Sequence, residues 1–326
     1  MDRGLPDDYS IETALALACR APSVHNVQPW RWRICDRSVH LYLDPSRALP
    51  STDPDMRDLV LSCGAVLHHF AVACTSLGFA AVVHRLPNPD EPDHLAAITL
   101  VPHRATDQEI ALGKAIAKRR TDRRHFSSWP IPPGHLSLFA ERAATLGAVV
   151  RVVEPEEREH VAAAAREAAR LHAADEAYRF ELALWSGLHS SPDGIPAHSI
   201  PAARAGDELP ARVFAGPELT DTAREADHAE LLVIATSADD RLSQLRAGEA
   251  ISAVLLSATT IGLASCLVTE PLEIAAERAK LRMRVLRDTG YPQAFVRVGW
   301  AHTSAEPLPP TPRRPLDEVL IPQDAG

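Results

Sequence analysis

Residues 22–28, Pro-Ser-Val-His-Asn-Val-Gln, stand directly before the strand-like run Trp30-Arg31-Trp32-Arg33-Ile34. A turn into a strand needs a glycine or a proline. It does not need Ser23, His25, Asn26 and Gln28 together, all of which can donate and accept hydrogen bonds. Such a run suits the polar edge of a bound ligand, with Pro22 fixing the approach of the loop. The structural alternative is an Asn- and Ser-rich turn that caps its own backbone. A second cluster, "KRRTDRRHF" at 118–126, places Arg119, Arg120, Arg123 and Arg124 within six residues around Thr121. Guanidinium groups bind phosphate bidentately, at about 1.5–3 kcal/mol per charge-assisted bond, and a hydroxyl among them suits a phosphate or a polyol. The alternative is a solvated basic surface. A third cluster, "TPRRPL" at 311–316, adds Arg313 and Arg314.

Other chemistries find no residues. The chain has no GxGxxG after a strand, no GxxxxGK[ST] and no HExxH. "GLASC" at 262–266 is not a nucleophile elbow. His68-His69 reads as a core or interface pair, so no metal site is expected. The five cysteines (Cys19, Cys35, Cys63, Cys74, Cys266) are odd in number and show no CxxC, the pattern of reduced thiols. The N-terminus MDRGLPDDYS lacks the form of a secretory signal. Together these imply a cytoplasmic protein. A net charge of -9 argues against a general affinity for nucleic acid.

The elements that position these residues follow from periodicity. Residues 10–20 read as a short helix, and "WRWRIC" with "VHLYL" as a hairpin around Asp36-Arg37-Ser38. Residues 107–120 form a helix ending in the arginine cluster. "AVVRVV" (148–153) and "ELLVIAT" (230–236) are strands, and 156–185 is one long amphipathic helix. Segment 186–216 carries four prolines and four glycines with little periodicity, so it is a functional or disordered loop.

Residues 59–83 and 250–268 hold no Asp, Glu, Lys or Arg, and each is long enough to span a bilayer. Interruption by Gly, Ser, Thr, Cys and His and the lack of basic flanks point instead to helices buried in a core, with no membrane partner. The two runs also resemble each other. Residues 62–83 lie over 246–267 without a gap, bringing Gly64 onto Gly248, Thr75 onto Thr259 and Gly78 onto Gly262. Each run is followed by a strand-like segment, 95–101 and 293–300. The chain reads as two related lobes about a pseudo-twofold axis, each central helix buried against its counterpart; the alternative is a chance likeness between two apolar, Ala-rich helices.

"APSVHNVQPW" resembles the APSxxNxQPW motif of the flavin-dependent nitroreductase family, and "RRTDRRHF" is similar to its RRSxRxF element. "IGLASCL", "AFVRVGW" and "TPRRPL" resemble its helix-to-loop segment, last strand and basic tail. The order of the motifs and the length resemble the two-lobed, Acg-like branch of NAD(P)H nitroreductases, a family dimer fused into one chain. The resemblance implies an α+β fold of two nitroreductase-like lobes, 1–112 and 113–326. Each holds a mainly antiparallel sheet and a long buried helix, with 186–216 a lid. It implies one FMN per chain, because only one arginine motif and one PSxxN loop are present. Pro22, Ser23, His25, Asn26 and Gln28 would meet the flavin from the first lobe. From the second, Arg119, Arg313 and Arg314 would hold its phosphate, with Arg120 and Thr121 beside them. Arg123 would stand at the N1/O2 edge, and the backbone of Val268, Thr269 and Glu270 would face N5. The implied partners are NAD(P)H and a small electron acceptor, a nitroaromatic or quinone. No protein acid or base is required, so no catalytic side chain is named. The chain would be a monomer with an internal pseudo-twofold, or a homodimer. A non-catalytic FMN-binding protein closed by its lid is the alternative.

Overall fold

The computed structural model describes residues 6–204 and 206–322. The first half runs α1 (Asp8–Ala18), β1 (Trp30–Cys35), β2 (Ser38–Leu43), α2 (Arg57–Ser76), β3 (Phe79–Arg85), β4 (His94–Pro102). Then come α3 (Asp107–Lys118), α4 (Pro133–Thr145), β5 (Val149–Val152), α5 (Pro155–Ala174) and α6 (Glu176–Leu184). A short parallel pair, β6 (Ser186–Leu188) and β7 (Ile195–Pro196), begins the irregular segment. After it follow β8 (Glu230–Thr236), α7 (Arg241–Thr260), β9 (Ala264–Val268), α8 (Glu270–Glu273), α9 (Ala275–Arg284), β10 (Tyr291–Gly299) and α10 (Leu316–Val319).

Two four-stranded antiparallel sheets carry the fold, in the orders β1-β2-β4-β3 and β5-β8-β10-β9. The orders correspond strand for strand: α2–β3–β4 in one is α7–β9–β10 in the other. Each apolar run is therefore more than a helix. It is a helix, a glycine turn and a strand, so β3 and β9 lie inside runs whose composition reads as purely helical. Gly78 (φ 94°) and Gly262 (φ 84°) make those turns, a backbone region costly for any side chain.

The two central helices cross at their matched glycines. A Cβ on Gly64 would lie 2.0 Å from the Leu245 carbonyl oxygen, and one on Gly248 would lie 2.0 Å from that of Leu61. The relation is reciprocal, since Leu61 precedes Gly64 as Leu245 precedes Gly248. One turn on, His68 Nδ1 meets Ser252 Oγ at 2.7 Å, and the same offset of 184 positions relates these two residues (252 − 68). Residues that correspond and also touch lie on the symmetry axis. Burial pushes His68 down to about 4, so the imidazole stays neutral in this contact near pH 7. Among the described residues α2 alone is long and apolar enough to cross a membrane, and 78% of that stretch is buried inside the protein.

The first core gathers Trp30, Trp32, Leu41, Phe70 and α1 beneath the first sheet. Full burial of such side chains contributes about 2–3 kcal/mol each. The second sheet is covered on both faces, by α4 and α7 on one and by α5 and α9 on the other. The long helix expected over 156–185 is two. Asp175 leaves helical geometry (φ −91°, ψ 113°) and its carboxylate accepts from the backbone N–H of Ala177 and Tyr178, capping α6.

Candidate functional site

The loop between α1 and β1 carries unusual backbone geometry. His25, Asn26 and Gln28 have φ of 45°, 56° and 52°, all in the left-handed region. Such conformations cost of order 1–3 kcal/mol each and persist only where surrounding contacts hold them. Here Ser62 Oγ accepts from Val24 N (3.0 Å) and Ser23 Oγ from Gln28 N (3.0 Å). Asn26 Nδ2 donates to Gly194 O (2.9 Å), and Gln28 Nε2 to Pro192 O (2.9 Å). Gln28 Oε1 accepts from Arg314 N (2.9 Å). The amides thus tie the irregular segment and the C-terminal tail to the loop, while Asn26 Oδ1 is buried without a partner.

The loop's other residues face a cavity of about 430 Å³. Pro22, Ser23 and His25 form one wall, with Asp58, Leu61 and Ala65 of α2 beside them. The second half supplies Thr121 and Arg123 from the chain after α3, and Cys266 through Glu270 from the end of β9. Residues 201–204 and 206–212, with Phe214, form the roof, and Arg212 and Phe214 line the cavity. Thus Pro22, Ser23, His25, Thr121, Arg123, Val268, Thr269 and Glu270 share one space. Asn26 and Gln28 lie behind it.

Arg119, Arg120 and Arg313 line a second, small cavity together with Arg20. Arg119 Nη1 reaches Thr121 Oγ1 at 3.5 Å, which joins the two spaces. Arg119 is 6% exposed, and its Nε is buried without a partner. Burial, then the charges of Arg120 and Arg20, lower it to about 10. Burial, then Arg119, Arg20 and Arg120, lower Arg313 to about 9. Among the described residues no carboxylate pairs with any of these four arginines. Uncompensated buried charge is costly, and Arg119, the buried member of the four, carries that cost.

Two arginines do other work. Arg313 gives its N–H groups to the carbonyls of Cys19, Arg20, Ala21, Thr311 and Pro312, closing the C-terminal end of α1. Arg314 lines neither cavity. Its Nη2 donates to Glu318 O at 3.0 Å, and its Nη1 is buried without a partner.

Arg123 is a cation in the main cavity with no carboxylate partner among the described residues. Its Nη1 donates to Ser199 O (3.2 Å), its guanidinium stands 5.2 Å from the Phe214 ring centre, and burial pulls it below its ordinary value. The roof is fastened by Arg212, which meets Glu273 and Tyr178 Oη and lies 3.3 Å from His25 Nε2. Burial raises the Glu273 carboxyl even against the pull of Arg212. Burial also pushes the Glu270 carboxyl up, but Arg212 and the His172 hydrogen bond (3.2 Å) outweigh it and hold it low. Arg212, Phe214 and Arg20 have no motif or periodicity that marks them in the sequence.

The duplication offers a second position for such a cavity. The same offset of 184 carries Ala65 onto Glu249 and Arg85 onto Thr269. There, Arg85 Nε and Nη2 pair with both oxygens of buried Glu249 at 2.7 Å each. At these positions the other half carries a bidentate ion pair, whereas the counterparts Ala65 and Thr269 line the cavity.

The model of the nitroreductase family matches residues 116–300. The chain is 48% identical over 323 residues to the Mycobacterium tuberculosis protein named "Putative NAD(P)H nitroreductase Rv3131", covering 98% of this chain and 93% of that one. It is 42% identical over 317 residues to "Putative NAD(P)H nitroreductase acg" of the same organism, with 95% of both chains covered. A solved structure, the FMN and NADPH-dependent nitroreductase NfnB from Sphigopyxis sp. strain HMH, matches 65% of this chain and 98% of its own, at 20% identity and a TM-score of 0.39. The chain, duplicated helices and strained Pro-Ser loop included, belongs to the nitroreductase family.

Proposed function

We propose that the chain is an FMN-dependent oxidoreductase of nitroreductase type. It takes hydride from NAD(P)H and passes it to a small acceptor such as a nitroaromatic or quinone. In this reading residues 1–112 and 113–326 are its lobes, 186–216 its lid, and one flavin is bound per chain. The observation that carries the reading is the meeting of both lobes around one cavity, beside a second, small cavity whose four arginines pair with no carboxylate among the described residues.

The residues fit the group on two counts. The buried, partnerless Nε of Arg119, among three further guanidiniums, is matched by a phosphate. The mixed polar and apolar walls suit a planar ring with one polar edge. FMN supplies the hydride chemistry when bound. Arg119 and Thr121 hold its anionic tail. Arg123 would present positive charge to the ring from the cavity wall. Leu61, Ala65 and Ile251 exclude water, and Ser23 and the backbone of Val268, Thr269 and Glu270 orient the polar edge. The Arg85–Glu249 pair supports one flavin per chain, since it places a bidentate ion pair at the positions whose counterparts, Ala65 and Thr269, line the cavity.

A second reading has its own observation. Phe214 and Arg212 close the roof over Arg123, and a closed roof keeps a nicotinamide off the ring, leaving a flavin-sequestering protein. Anaerobic mixing of the flavin-loaded protein with NADPH separates the two. The enzyme reading expects the visible flavin absorbance to bleach within seconds. A spectrum unchanged over an hour refutes turnover while leaving flavin binding intact.

A further inference from the structure

Arg20 follows α1 in the first half of the chain, two residues before Pro22. Its side chain makes no hydrogen bond or ion pair with any described residue, and its Nε is buried. It nevertheless lines the small cavity beside Arg119, Arg120 and Arg313. Burial first, and then the like charges of the neighbouring arginines, lower Arg119 to about 10 and Arg313 to about 9.

The donors in this cluster are unequally committed. Arg313 has its N–H groups on five main-chain carbonyls. Arg120 donates to the carbonyls of Leu308, Ala117 and Arg119. Arg119 gives one N–H to Thr121. The donors left for an outside acceptor are concentrated on Arg119 and Arg20, one from each half of the chain.

We propose that Arg20 is a phosphate-binding residue, gripping with Arg119 the phosphate monoester of the bound flavin from opposite lobes. Arg313 is a positioning residue: by holding the carbonyls of Cys19, Arg20 and Ala21 it sets the direction from which Arg20 approaches. The inference rests on the FMN reading above. It adds that the phosphate fastens the end of α1 to the end of α3.

FMN and riboflavin share ring and ribityl chain and differ by the phosphate, so titrating both into the unchanged protein and into Arg20→Gln isolates the Arg20–phosphate interaction. Without that charge-assisted hydrogen bond, FMN should bind at least about tenfold more weakly. Riboflavin affinity should stay within about twofold. Equal weakening of both flavins, or FMN affinity unchanged, overturns the proposal. Should Arg20→Gln not fold, Arg20→Lys keeps the charge but loses the planar fork. A fall in the FMN-to-riboflavin affinity ratio again supports the interaction, and a constant ratio refutes it. If neither flavin binds the unchanged protein, the cofactor reading fails instead. The site is then tested with inorganic phosphate against chloride at matched ionic strength. A gain in melting temperature that Arg20→Lys diminishes supports the site, and an equal gain in both proteins, or none, overturns it.

Discussion

Gly248→Ala is expected to destabilise the protein by at least about 3 kcal/mol, or to prevent folding altogether. The added methyl would fall 2.0 Å from the Leu61 carbonyl oxygen and 2.9 Å from Gly64 Cα. Both are backbone atoms inside a buried helix, so no side chain can turn aside. The only relief is separation of α2 and α7, the most extensively contacting pair of elements among the described residues. Overpacking a well-filled core usually costs about 1–3 kcal/mol, and this clash is backed by main chain on both sides. Gly134→Ala is the control. It lies in α4 with nothing within 4 Å of the new methyl, so it should be neutral or gain up to about 1 kcal/mol from helix propensity. Chemical denaturation of the two variants checks the pair. If both behave alike, the glycine crossing is not what joins the lobes.

Phe214→Ala is expected to speed flavin reduction by NADPH at least about fivefold. The Phe214 ring stands 5.2 Å from the Arg123 guanidinium and 6.0 Å from that of Arg212, edge-on to His25. Each cation–ring interaction contributes about 0.5–2 kcal/mol when desolvated. Removing two of them shifts the balance between closed and open roof by roughly 1–4 kcal/mol, and the open population rises in proportion. Arg212 stays in place in this variant, so the paired Glu270 and Glu273 keep their counter-charge. Stopped-flow absorbance under nitrogen measures the rate. A rate unchanged, with FMN still bound, would mean that the roof is not the barrier to the nicotinamide.

Much of the architecture is legible because it is written in spacing. The gap-free match of Gly64 with Gly248 signals the duplication, and the crossing explains it: each glycine admits the carbonyl three residues ahead of the other. The strands β3 and β9 are not legible, since an edge strand after a buried helix continues the same apolar run beyond the turn at Gly78 or Gly262. The break at Asp175 is hidden because a capping aspartate inside an alternating acidic and basic stretch looks like one more surface charge. At the site, the types of the loop residues point to hydrogen bonding but not to its direction. Asn26 and Gln28 spend their amides on Gly194, Pro192 and Arg314 rather than on the cavity. Arg313 likewise serves α1. Arg212 and Phe214 sit in a segment without periodicity, where only tertiary contacts give a residue its role.

The central claim is that one flavin is clasped between the two halves of each chain. Its most direct measurement is a titration of flavin-free protein with FMN, counting bound flavin per chain by absorbance after removal of excess ligand. The account predicts saturation at one FMN per 326-residue chain, with binding abolished when Arg119 becomes alanine. Saturation at two, or a colourless protein at saturating FMN, would contradict it.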